Sequence, residues 1–121
     1  MKKLWMIALA VGFIGLSNGQ VWAADPDGSW KRPNGETAEV YTCQGKLCCK
    51  ITKGVQPGFE MCNSMSKTAT NTWAGDGMKH PEMPGFMTFN GTVTYSGSTL
   101  NIKGCALGQA FCDDETWTKL R

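Results

Sequence analysis

The side chains best equipped for chemistry in this 121-residue chain are its six cysteines and single histidine. The cysteines are Cys43, Cys48, Cys49, Cys62, Cys105 and Cys112, and no two are spaced Cys-x-x-Cys, the pattern that tunes a redox-active thiolate. His80 lies in a Pro-rich stretch beside Met78, Met83 and Met87, with Met61 and Met65 upstream. Thioethers and an imidazole suit Cu(I) in an oxidising compartment, so Met78, His80 and Met83 form a candidate copper set. Methionine more often fills irregular gaps in a core, and one histidine anchors a metal poorly. The favoured expectation is therefore no metal and no cofactor. Catalysis is also not expected: there is no recognisable triad and no Gly-rich phosphate loop, and oxidised cysteines supply no nucleophile.

The compartment follows from the N-terminus. Lys2 and Lys3, the apolar run Leu4 to Leu16 and Val21-Trp22-Ala23 have the three parts of a secretory signal, which assigns residues 1–23 to a leader and 24–121 to a single exported domain. The apolar run is too short to span a bilayer, so no transmembrane segment is expected after cleavage. All six cysteines fall in the exported part, and an even count there argues for disulfides in a periplasmic or secreted protein. The formal charge of +2 belongs to the leader. Without Lys2 and Lys3 the acids and bases balance, and no electrostatic footprint for nucleic acid remains. The acidic run Asp113-Asp114-Glu115 reads as a solvated turn.

The elements that hold the cysteines read as strands. Glu36 to Lys53 (ETAEVYTCQGKLCCKITK) is a β-hairpin. Pairing Cys43 with Cys48 across the loop Gln44-Gly45-Lys46-Leu47 sets Tyr41 opposite Lys50 and Glu39 opposite Thr52 on one face. Thr42, Val40, Ala38, Cys49 and Ile51 take the other face, which should meet the core. Cys49 then points inward, which favours a bridge to Cys62, and Cys105 with Cys112 would close a compact loop before the last strand. Trp30 belongs to a first strand. Residues 54–85, rich in Gly, Pro, Ser, Thr and Asn, are expected to be mostly loops, with short strands at Phe59 to Asn63 and Asn71 to Gly75. Met87, Phe89, Gly91, Val93 and Tyr95 alternate with polar residues, and Leu100 to Lys103 and Glu115 to Arg121 alternate again. The fold class is all-β, braced by up to three disulfides.

Gly28-x-Trp30, VYTCQGKLCCKI, Trp73-Ala74-Gly75 and TLNIKGCALGQAFCDDETWTKLR together resemble the bacterial secreted family catalogued as domain of unknown function 2147. The resemblance covers nearly all of the exported part and implies a small antiparallel barrel of lipocalin-like kind, with no assigned activity. Cys49 stands where the family has glycine, Met78-Lys79-His80-Pro81 replaces a Tyr-Asp-Pro segment, and Lys119 replaces an arginine, with Arg121 two residues on. By analogy with lipocalin-like barrels, Trp30 would lie under Lys119 or Arg121 as a cation-π contact that shuts the barrel floor.

A barrel of eight strands has room for side chains or one small apolar ligand. The favoured function is a non-catalytic protein binding a small apolar, fatty-acid-like ligand in or at the mouth of the barrel, rimmed by loops from Val55 to Gly85. Phe59, Trp73, Met78, Phe86 and Phe89 are the candidate contacts. The alternative is a filled barrel acting as a cell-envelope interaction module. Nothing in the residues fixes an oligomeric state.

Overall fold

A computed structural model describes residues 25–107 and 109–121; the leader expected at 1–23 lies outside them. Eight strands follow in chain order: β1 (Gly28–Lys31), β2 (Thr37–Cys43), β3 (Lys46–Lys53), β4 (Glu60–Ala69), β5 (Thr72–Met78), β6 (Phe89–Tyr95), β7 (Thr99–Ala106) and β8 (Phe111–Lys119). Each pairs antiparallel with the next, and β8 returns to β1, so the sheet is a closed barrel. No helix occurs among the described residues.

The β2–β3 hairpin turns on two residues rather than four. Gln44 and Gly45 have φ of 54° and 79°, the left-handed pair that a tight hairpin turn requires. Tyr41 therefore faces Cys48, Glu39 faces Lys50 and Cys43 faces Lys46. This differs by two residues from the register that sets Cys43 opposite Cys48. A two-residue slip returns every side chain to its own face, so Ala38, Val40, Cys49 and Ile51 are buried as expected, while Thr42 is exposed. The Cys43–Cys48 bridge runs diagonally, with Cα atoms 5.9 Å apart. Cys49–Cys62 joins directly opposed residues of β3 and β4. Cys105–Cys112 likewise lies within the β7–β8 ladder, which continues beyond it to Ala106 and Phe111 rather than ending there in a loop.

The segment 54–85 is more ordered than its composition suggests. β4 is ten residues long and β5 seven. Ser64 has φ of 51° and the β3–β4 register shifts around Cys49, so Met61, Cys62 and Met65 reach the core without strict alternation. β8 begins at Phe111, which places Asp113-Asp114-Glu115 within a strand instead of a turn. Trp117 is buried, and Leu120 lies past the strand and exposed.

Trp30, Val40, Ile51, Met65, Val93, Leu100 and Trp117 pack the interior. The floor closes around Trp30. Its Nε1 donates to the Pro26 carbonyl at 2.9 Å, Tyr95 meets it edge-on at 6.1 Å, and Lys119 Nζ lies 4.8 Å from its ring centroid. Lys119 Nζ also donates to the Asp27 carbonyl. Arg121 contributes main chain: its carbonyl accepts from Ser29 N at 2.8 Å.

Candidate ligand cleft at the open end

Antiparallel connectivity puts residues 32–36, 54–59, 79–88, 107 and 109–110 at the end opposite Trp30. Of the section from Val55 to Gly85, only the pieces before β4 and after β5 contribute to this rim, since the β4–β5 turn lies at the floor. The two long loops are tied together by Gln56 Nε2, which donates to the Pro81 carbonyl at 3.0 Å, and Lys79 Nζ donates to the Gly85 carbonyl at 2.8 Å.

Between these loops lies a half-open cleft of about 580 Å³. Its floor is apolar: Met61, Met78, Phe89 and Ile102. Met78 lies where a Cβ on Gly91 would have to sit, so the glycine makes room for the thioether. Arg32, Lys79, His80, Glu82 and Asp113 to Glu115 supply the polar wall. A volume of this order suits a small molecule.

The wall is organised by Arg32, the one charged side chain that is buried among the described residues. Its Nε and Nη2 donate to the two oxygens of Glu115 at 2.9 and 3.2 Å, and its Nη1 donates to Glu36 at 2.5 Å. Trp117 Nε1 donates to the same Glu115 carboxylate at 2.6 Å. Burial pushes the Glu115 carboxyl up, but the bonds from Arg32 and Trp117 outweigh it and hold the group below the ordinary carboxylate range. Glu36 is also held low, by the Val55 N–H first and then by Asn34 and Arg32. Burial lowers the affinity of Arg32 for its proton, and its two carboxylates more than restore it. The guanidinium is thus fully matched.

The predicted contacts divide. Met78 and Phe89 line the cleft. Trp73 does not: it is buried in the core, with Lys67 Nζ 5.7 Å from its ring centroid. Phe59 packs partly buried against the core, and Phe86 is 87% exposed beside a second groove of similar volume, about 590 Å³, shared with Leu107 and Phe111. Met78, His80 and Met83 do share the cleft, but His80 is not presented as a ligand. Its Nδ1 accepts from Glu82 N at 3.1 Å, and its Nε2 faces Glu115 at 3.8 Å. Arg32, Glu36 and Glu115 were invisible as a site in the sequence, because Arg32 sits in a turn sequence and its partner is 83 residues away. No family model, curated protein or solved structure matches this chain.

Proposed function

We propose that this is an extracytoplasmic, periplasmic or secreted, non-catalytic barrel that holds one small apolar ligand in the cleft at its mouth. The observation that carries the reading is the apolar floor of Met61, Met78, Phe89 and Ile102 beneath a fixed polar wall. The three disulfides fit an oxidising compartment. Among the described residues no helix is long and apolar enough to cross a membrane.

The packed interior below the cleft limits ligand length, so a short acyl chain or compact ring suits it better than a full-length fatty acid. Each methylene buried on the floor contributes about 0.8 kcal/mol. The wall also selects a head group. Arg32 is already matched by Glu36 and Glu115, and Glu82, Asp113 and Asp114 line the same cleft as Lys79, whose ammonium is held by the Gly85 carbonyl. A neutral polar head is favoured over a carboxylate.

The test uses the neutral dye N-phenyl-1-naphthylamine and medium-chain alcohols as competitors. The wild type should bind the dye saturably, and an alcohol should displace it better than the carboxylate of equal length. Gly104→Leu should abolish the signal while leaving the circular-dichroism spectrum unchanged, because a Cβ there meets only Phe89 at ordinary contact distance and the rest fills the cleft. Equal dye binding by wild type and Gly104→Leu would sink the reading.

A further inference from the structure

We propose that the open seam between β1 and β8 accepts an extended, basic segment of a partner protein as an added strand. β1 and β8 pair only at Trp30 with Lys119 and Lys31 with Thr118. Continued in that register, Pro33 would oppose Thr116, and proline has no N–H to give. The chain instead turns away into β2, with Arg32 N bonded to the Glu36 carbonyl at 2.8 Å and Gly35 N to the Arg32 carbonyl at 2.9 Å. β8 runs on from Phe111 to Trp117 with β7 on one side and no strand on the other among the described residues.

The main-chain groups that face the gap follow from the alternation of an antiparallel ladder. Lys119 N donates toward β7, to the Ser98 carbonyl at 3.0 Å, and Leu120 N donates toward β1, to the Ser29 carbonyl at 2.9 Å. Thr116, Asp114 and Cys112 share the parity of Leu120, so their N–H and C=O groups point into the seam. Such an edge is a template for one more strand.

Charge decides what kind of strand. Asp113 and Asp114 are exposed on this edge, and Glu82 is exposed across the cleft mouth. Of the positive groups beside the seam, Arg32 is buried and matched by its own carboxylates, Lys31 lies at the closed end opposite Thr118, and Lys103 lies opposite Asp114 on β7, so Asp113, Asp114 and Glu82 outnumber Lys103 along the open stretch. An acidic edge repels a second copy of itself and attracts a basic partner. Asp113, Asp114 and Thr116 also line the cleft, so the seam borders it, but this inference rests on the main-chain groups of β8 and not on the apolar floor or the small-ligand reading.

The test titrates a short fluorescent peptide of alternating lysine and valine into the wild-type protein. Saturable binding that weakens with salt is expected, together with slowed exchange of the Cys112, Asp114 and Thr116 amides, which should exchange fast in the free protein. The same peptide methylated on every backbone nitrogen should bind at least roughly tenfold more weakly, since it keeps the charge and loses the ladder bonds. Thr116→Pro removes one seam N–H while sparing the bonds to β7, and should weaken the parent peptide without changing the barrel spectrum. Equal binding of the methylated peptide, unchanged amide exchange, or no binding at all overturns the proposal. Protection of those amides in a dimer of the free protein also overturns it, in favour of a second copy.

Discussion

At the scale of single residues, Arg32 is the most consequential side chain in the barrel. Removing it leaves Glu115 partly buried, with Trp117 Nε1 as its remaining strong donor. A hydrogen bond to a charged group contributes about 1.5 to 3 kcal/mol, so Arg32→Leu should lower unfolding free energy in urea by roughly 2 to 3 kcal/mol. The double variant Arg32→Leu with Glu115→Gln should recover most of that loss, because it removes the stranded charge and keeps an acceptor for Trp117 Nε1. The same carboxylates set the acid limb of stability. Glu115 and Glu36 are held below their usual value of 4.5, so the stability they add is complete above that pH and is lost as pH falls through their lower, folded-state values. Asp27 works in the opposite sense: burial raises it above 3.8, and it favours the folded state only once protonated. Urea titrations should show little change from pH 7 to pH 5 and a decline below pH 4.5, and Glu115→Gln should make that decline shallower. None of this was legible in the sequence. Arg32 stands at a Pro33-Asn34-Gly35 turn signal and Glu115 ends an acidic run that reads as a solvated turn, and only barrel closure brings the two together.

At the scale of elements, the three bridges differ in what they hold. Cys49–Cys62 spans 13 residues, is buried at both ends, and pins the irregular start of β4. Cys43–Cys48 spans 5 residues around a turn already favoured by Gly45, and Cys105–Cys112 spans 7 with one exposed end. Loop entropy grows with the residues enclosed, so replacing Cys49 and Cys62 by alanine should cost about 3 kcal/mol or more once the cavity is counted. The other two pairs should cost less, Cys105–Cys112 before Cys43–Cys48 by loop length, so the urea midpoint should fall most for the Cys49–Cys62 variant and least for the Cys43–Cys48 variant. The pairings were readable because cysteine positions and strand parity are local information, and the two-residue slip in the hairpin left parity untouched. Of β4 only the start was readable, as the short strand expected at Phe59 to Asn63. Its sequence EMCNSMSKTA lacks β-branched and aromatic residues before Thr68, and the left-handed Ser64 breaks the alternation that would have announced a strand.

At the scale of the whole molecule, closure rests on a short seam, and Gly28 is its narrowest point. Gly28 has φ of +137°, a region that side chains rarely enter, and a Cβ there would collide with the Arg121 carbonyl oxygen. That carbonyl accepts the Ser29 N–H, and the Ser29 carbonyl accepts from Leu120 and Arg121, so displacement at one atom loosens the bonds at this end of the seam. Gly97 has φ of +83° with open space where its Cβ would lie, so Gly97→Ala carries the backbone strain without the collision and should cost about 1 kcal/mol. Gly28→Ala should cost about 2 to 4 kcal/mol. Its signature should be local before it is global. Amides of Ser29 and Leu120 should exchange faster, and Trp30 emission should shift red as Lys119 and Pro26 leave its ring, while the amides of β6 and β7 keep their protection. Uniform loss of protection around the barrel would instead mean that the sheet opens as one unit and that the seam is no weaker than the rest.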